Sequence, residues 1–252
     1  MAISSFVLTV AEGKRLIAKG VAQLPVVQRA MESGIVAVCK GTTNAYVAEE
    51  LLGQPIDKTG YVLGATLPAK GPEREDVLPG SIPDVVLRDG KPADDIESCM
   101  DAFKVMGPDD VIIKGGNALD YPSGLAGVLV GHPEGGTVGA MIGHVYGRKV
   151  NVVIPIGLEK QTATSLEVAQ TELLEATGSD DTPTLWVFDG DIITELEAIE
   201  LLADVDAMQI GAGGIAGAQG AVWLTAVGTD AAVAAAAEII QGIQGEPPFA
   251  SV

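Results

Sequence analysis

The feature that most constrains this chain is a short apolar run that passes through a glycine turn into a helical pattern. Residues 35–39 form the run, residues 40–44 form the turn, and residues 45–53 follow with helical spacing of their apolar side chains. This order is typical of a buried strand followed by a helix, whose first N–H groups have no helical partner. A glycine in such a turn lets the backbone approach a ligand, so the turn predicts an anion site.

The same layout recurs further along the chain. An apolar strand at residues 110–113 opens into a Lys-Gly-Gly-Asn turn, and a glycine-rich stretch at 131–139 precedes a small-residue helix and a strand at 150–155. Alternating strands and helices indicate an α/β fold with a mostly parallel open sheet and helices on both faces. Because ligands gather at the carboxyl ends of such strands, we expect the three turns to share one crevice.

The pattern changes after residue 182. A strand at 185–188, a helix at 194–202, two strands at 207–212 and 221–227 and a helix at 230–243 follow in that order. This order predicts a small α+β domain that resembles a ferredoxin-like sandwich. The polar segment at 177–183 has the composition of a linker, so we expect an α/β ligand-binding domain at 1–178 and the small domain at 179–252.

Charge and cysteine content exclude several classes of function. Fifteen basic against thirty-four acidic residues give a net charge of −19, which disfavours nucleic acid and anionic membranes as partners. We expect the small basic group of Lys14, Arg15 and Lys19 to be solvated. The two cysteines allow neither a disulfide framework nor a zinc site, and no apolar run is long enough to span a membrane, so a cytoplasmic location is expected.

The candidate binding residues are those of the three turns: Gly41, Thr42, Thr43, Asn44, Gly115, Gly116, Asn117, Gly135, Gly136 and Thr137. Three charged residues are candidates for catalysis. Lys114 could neutralise an anion or donate a proton, Asp120 could be a base, and Glu134 could be a base or a nucleophile. Each has an ordinary alternative as a surface charge, and Glu159 and Lys160 are expected to form an exposed ion pair. The two histidines lack the spacing of a metal pair, so no metal site is expected.

Residues 35–53 resemble the opening strand, loop and helix of the superfamily that holds ribose-5-phosphate isomerase, glucosamine-6-phosphate deaminase and coenzyme A transferases. Residues 110–120 are similar to a later strand and loop, including the Lys-Gly-Gly segment of the pentose isomerases, and the resemblance covers roughly residues 10–165. It implies that the turn at 41–44 holds a sugar phosphate or an acyl group. It also implies that Lys114 and Asp120 are active-site residues.

The preferred function is therefore binding of an anionic, phosphorylated sugar-like metabolite, with isomerisation by proton transfer at a carbon next to a carbonyl. No cofactor is expected for that reaction. One alternative is acyl or coenzyme A transfer through Glu134, which would make coenzyme A a ligand. The other is a non-catalytic metabolite-binding or assembly protein. The apolar, alanine-rich last helix favours a homo-oligomer.

Overall fold

The computed structural model describes residues 1–78, 80–176 and 182–249. The strands of these residues are β1 (Ala2–Leu8), β2 (Ile35–Val38), β3 (Val85–Arg88), β4 (Lys91–Pro92), β5 (Val111–Ile113), β6 (Ala118–Asp120), β7 (Leu125–Val130), β8 (Asn151–Pro155), β9 (Thr184–Phe188), β10 (Asp191–Ile193), β11 (Asp206–Ala212) and β12 (Val222–Gly228). The α-helices are α1 (Val10–Gln23), α2 (Pro25–Ser33), α3 (Thr42–Leu52), α4 (Arg74–Val77), α5 (Cys99–Phe103), α6 (Gly136–Arg148), α7 (Leu166–Glu175), α8 (Glu195–Ala203) and α9 (Asp230–Ile243). None of these helices is long and apolar enough to cross a membrane.

A six-stranded sheet with the order β10-β8-β5-β2-β3-β4 lies at the centre of the fold. The first four strands of that order are parallel, and β3 and β4 add an antiparallel edge. All four residues of β2 are buried, as expected for a strand inside a parallel sheet. The β3–β4 turn uses Asp89 and Gly90, both with positive φ, as is typical of a two-residue hairpin turn. The mostly parallel central sheet is thus confirmed.

Two three-stranded antiparallel sheets complete the fold, with the orders β1-β12-β11 and β6-β7-β9. The predicted hairpin and last helix of the C-terminal region are present as β11, β12 and α9. The sequence patterns missed β1, which pairs along its whole length with β12. A partner strand more than two hundred residues away leaves no local signal, so only the tertiary structure reveals this pairing.

The predicted division at residue 178 lies outside the described residues, and each of the three sheets combines strands from both sides of it. β10 pairs with β8, β9 pairs with β7, and β12 pairs with β1. A ferredoxin-like sandwich would place its strands in a sheet of its own. The observed pairing differs from that expectation because the strands after residue 182 complete sheets that the preceding residues begin.

Helices α1 and α8 pack closely against each other, and both begin with a capping box. Thr9 and Glu12 cap α1, and Thr194 and Glu197 cap α8. A Cβ on Gly20 would lie 2.6 Å from the Cβ of Ala198, so glycine permits this close approach. The packing brings the first turns of both helices to the end of the parallel strands, where the candidate site lies.

Candidate functional site at the carboxyl edge of the central sheet

The parallel strands of the central sheet end at one common edge. Val38, Ile113 and Val153 are register partners in β2, β5 and β8, and Ile193 of β10 pairs with Pro155. The chain segments that leave this edge are the start of α3, the turn at 114–117, a short 3-10 turn (Leu158–Lys160) and the start of α8. Side chains from four separate parts of the sequence therefore meet here.

The first predicted turn lies at this edge. Gly41 is the N-cap of α3, and the first helical hydrogen bond runs from the Ala45 N–H to its carbonyl at 2.9 Å. The Asn44 amide donates to the carbonyl oxygens of Cys39 at 2.8 Å and Ile113 at 3.2 Å, which ties two strand ends together. These two donations fix the amide orientation, so Asn44 Oδ1 is left as an acceptor.

Two polar side-chain atoms in the first turn of α3 are buried without a hydrogen-bond partner among the described residues. They are Thr43 Oγ1 and Asn44 Oδ1. Buried polar atoms are rarely left unpaired, and each costs about 1–3 kcal/mol in that state. This turn therefore offers hydrogen-bonding capacity that the folded chain does not use.

The second predicted turn lies at the same edge. The Lys114 ammonium donates to the Gly115 carbonyl at 2.8 Å, and the Lys160 ammonium donates to the Gly116 carbonyl at 2.8 Å. A Cβ on Gly115 would lie 3.5 Å from Asn44 Oδ1, which places this turn against the first one. Asn117 is exposed and points elsewhere, since its Oδ1 accepts from the Leu129 N–H at 3.1 Å in the neighbouring hairpin.

The third predicted turn does not end a strand of the central sheet. Gly135, Gly136 and Thr137 follow β7, which belongs to the antiparallel β6-β7-β9 sheet. A Cβ on Gly135 would lie 2.5 Å from the Trp186 ring, and its φ is +79°. The glycine is required for packing and for the entry into α6. The expectation that all three turns end parallel strands is therefore wrong for this one.

Asp120 and Glu134 occupy different surroundings. Asp120 is buried at the end of β6, where its Oδ1 accepts from the Ser123 N–H at 3.2 Å and caps the turn into β7. Glu134 is exposed in the loop before α6. Its N–H donates to His132 Nδ1 at 3.2 Å, so the described contact of this residue is through its backbone.

Five charged residues form a lysine–glutamate cluster at the carboxyl edge: Lys14, Lys114, Glu159, Lys160 and Glu195. Lys14 is buried and pairs with Glu159 at 3.2 Å. Glu195 is buried and its Oε2 accepts from the Leu158 N–H at 2.9 Å. A Cβ on Gly13 would lie 2.5 Å from Glu195 Oε1, so the glycine leaves room for this carboxyl beside α1.

Burial changes the acidity of this cluster. Desolvation lowers the pKa of Lys160 to about 8; its positive neighbours Lys14 and Lys114 act in the same direction, against Glu159 and Glu195. Desolvation raises the pKa of the Glu195 carboxyl to about 7, and the nearby Glu159 charge raises it as well. The pKa of Lys114 is also lowered by burial. The cluster thus holds a carboxyl group and an ammonium group that both titrate near neutral pH.

Sequence reasoning placed Lys114 correctly at this edge and misjudged the rest of the cluster. Lys14 was expected to be solvated, and Glu159 was expected to pair with Lys160 at the surface. Lys14 is instead buried against Glu159, because the packing of α1 on α8 carries it inward. Glu195 lies in the first turn of the predicted helix at 194–202 and was not among the candidate site residues. Its position directly after a strand at the sheet edge was the signal that could have identified it.

Other features of the described residues lie away from this edge. Two surface grooves of about 370 and 190 Å³ are present, one beside β3 and β4 and the other beside Tyr146 and Asp189. No group of three or more histidine, cysteine or acidic side chains in these parts of the chain is arranged to hold a metal ion. The candidate functional site is therefore the polar carboxyl edge of the central sheet and not a deep groove.

Comparison of the chain with protein-family models, with curated proteins and with solved structures finds no match in any of the three. The resemblance to the sugar-phosphate isomerase and coenzyme A transferase superfamily accordingly stays a prediction.

Proposed function

We propose that the protein binds a small anionic metabolite of the phosphorylated sugar type at the carboxyl edge of the central sheet. The observation that carries this proposal is the charge of the lysine–glutamate cluster. Three lysines face two glutamates in a buried to half-buried position, although the whole chain has a net charge of −19. An excess of positive charge away from water is costly unless an anion compensates it. A bound phosphate or carboxylate would provide that charge.

The first turn of α3 complements the lysines. Its N–H groups precede the first helical hydrogen bond and carry the positive end of the helix dipole. Thr43 Oγ1 and Asn44 Oδ1 add unused hydrogen-bonding capacity, and Asn44 Oδ1 can only accept. A ligand that combines an anionic group with a hydroxyl group matches this set, because the hydroxyl can donate to Asn44.

We assign the reaction to proton transfer at a carbon next to a carbonyl. Glu195 has a pKa of about 7 and Lys160 a pKa of about 8, which suits a base and an acid working near neutral pH. The base removes the proton from the carbon, and the electron pair moves to the carbonyl oxygen as an enediolate. An ammonium group stabilises that oxygen. The oxygen then takes up the proton of the hydroxyl group on the deprotonated carbon, which becomes the new carbonyl carbon, and the base returns its proton to the former carbonyl carbon.

The roles differ in part from those that the sequence suggested. Lys114 keeps its proposed role of stabilising negative charge. Glu195 replaces Asp120 and Glu134 as the proposed base, because Asp120 caps a turn and Glu134 is exposed. The transferase hypothesis depends on Glu134 and stays a prediction that no contact of this residue favours.

Isothermal titration calorimetry tests the binding half of the proposal. Pentose and hexose phosphates are titrated into the protein, with the matching unphosphorylated sugars and sodium chloride of equal ionic strength as controls. Lys114→Met and Lys160→Met should each weaken binding about 10- to 100-fold, because a charge-assisted hydrogen bond is lost. Lys91→Met, at an exposed position in β4, is the matched control and should bind as the wild type does.

Proton exchange tests the catalytic half. In D2O, the wild-type protein should exchange the hydrogen on the carbon next to the carbonyl, and NMR would follow its loss. Glu195→Gln should abolish the exchange while the calorimetric affinity stays within a few-fold of the wild type. Equal binding by Lys160→Met and Lys91→Met would contradict the anion site, and exchange that survives in Glu195→Gln would contradict only the assigned base.

A further inference from the structure

The antiparallel β1-β12-β11 sheet has one covered face and one open face. Helices α8 and α9 pack on the covered face, where Leu8, Leu224 and Ala226 are buried. On the opposite face the exposed fractions are 69% for Ile3, 47% for Met208, 55% for Ile210 and 44% for Trp223. Val7 and Val227 lie beside these side chains as register partners of Trp223 and Ile3. The register pair between them is polar: Ser5 and Thr225, whose hydroxyl groups share a hydrogen bond of 2.9 Å. We call the six apolar residues the apolar sheet face.

The strands that form the apolar sheet face carry almost no charge. No residue between Asp206 and Asp230 is charged, and no side chain between Met1 and Glu12 is charged. These two segments supply β1, β12 and all of β11 except its first residue, the exposed Asp206, which pairs with Val227 at the rim of the face. In a chain with 49 charged residues, the absence of charge from both segments sets this face apart from the rest of the molecule, which carries the net charge of −19. Exposed apolar patches of this kind mark interaction surfaces.

The size of the face fits a small but specific interface. With Ile215 of the adjoining hairpin loop, which is also exposed, these side chains present apolar surface on the order of 600 Å². Two such faces in contact would bury on the order of 1,200 Å², the lower end of the range of specific protein interfaces.

We propose that the apolar sheet face is the contact surface between two copies of this chain. Two copies repel each other through their acidic surfaces, so they can approach closely only where charge is absent. A two-fold axis would place the same face on both copies and pack the sheets about 10 Å apart as a sandwich. Edge-to-edge association through β11 is hindered, because the register shift between Gln209 and Gly211 disrupts that edge.

Sedimentation equilibrium from about 1 to 100 µM protein tests the proposal. The wild type should reach twice the chain mass of 25.7 kDa as its concentration rises. Association should tighten between about 0.05 and 0.5 M sodium chloride, since salt screens the repulsion of the acidic surfaces. An interface held together by opposite charges would weaken over the same range.

Variants locate the interface. Trp223→Ser should raise the dissociation constant at least tenfold, because buried aromatic residues dominate such contacts. Ile3→Ser, at an exposed position of β1, should also raise the dissociation constant. If Trp223→Ser loses its native circular dichroism, Ile3→Ser is the variant that tests whether this face is the interface. Leu174→Ser, equally exposed on α7, is the matched control and should associate as the wild type does.

A mass of 25.7 kDa at every concentration would overturn the proposal. The partner of this face would then be a different protein and not a second copy of this chain. Wild-type association by folded Ile3→Ser would overturn it as well, since the dimer would then use another surface. The alanine-rich helix α9, from which the sequence suggested oligomers, already packs with Val233, Ala236 and Ile240 buried.

Discussion

Two regions of the molecule break the usual rule that charged side chains are exposed and apolar side chains are buried. They are the carboxyl edge of the central sheet and the apolar sheet face, and they break the rule in opposite ways. At the edge, Lys14 and Glu195 are buried, whereas on the open face Ile3 and Trp223 are exposed. Charged groups are rarely buried without a partner, and contiguous apolar surface is rarely left exposed. Each departure has a complementary solution. An excess of positive charge in a partly buried cluster calls for an anion, and an exposed apolar surface calls for another apolar surface.

The largest expected effect is at the edge. Lys14→Met should lower the free energy of unfolding by about 3 kcal/mol, because it leaves Glu159 without its partner in a mostly buried position. Urea denaturation at pH 7 measures the change. Lys14→Met combined with Glu159→Gln should recover most of the loss, and Lys19→Met, at a half-exposed position of the same helix, should be nearly neutral. A loss in the double variant as large as in the single one would contradict the pairing.

The pH dependence of stability tests the buried carboxyl group. The pKa of Glu195 is about 7 in the folded chain, above its usual value of 4.5, so the folded state binds more protons than the unfolded state between these values. The contribution of this group to stability is therefore fully present below pH 4.5 and is lost as the pH rises through 7. The free energy of unfolding of the wild type relative to Glu195→Gln should fall by about 2–3 kcal/mol from pH 4 to pH 8.

That difference is obtained from urea denaturation of both proteins across the pH series. Taking the difference removes the titration of every group that the two proteins share. A flat difference would show that Glu195 titrates at its ordinary pKa and would remove it as the proposed base.

A matched pair of asparagines distinguishes the edge from the neighbouring hairpin. Asn44→Asp removes two donations to strand-end carbonyls and should cost about 2 kcal/mol of stability. Asn117→Asp keeps the acceptor that the Leu129 N–H uses and is exposed, so it should change stability by no more than about 0.5 kcal/mol. Thermal unfolding of the two variants provides the comparison. Equal losses would show that Asn44 has no special role in joining the strands.

The smallest expected effect is on the open face. Ile3→Ser should change the unfolding free energy of dilute protein by no more than about 0.5 kcal/mol, because the side chain is already exposed in the single chain. At high concentration the wild type should become more stable than this variant, as association stabilises the folded state. A large loss in dilute protein would mean that Ile3 packs within its own chain.

Local patterns predicted those parts of the structure whose interactions are close in sequence. The β2–α3 unit and helix α9 are present where the sequence placed them. Lys114 was placed correctly because it directly follows a buried strand. Gly135 was misread, because a glycine required by packing against Trp186 has the same local signature as one that admits a ligand.

By itself, the sequence determined the alternation of strands and helices, the mostly parallel central sheet and the position of the α3 turn at a strand end. These follow from periodicity and turn chemistry, which act over a few residues. Only the tertiary structure decided that Lys14, Lys160 and Glu195 meet, and that β1 pairs with β12. The reason is physical: the environment of a charged side chain depends on which distant elements pack around it, and no property of its neighbours in sequence encodes that.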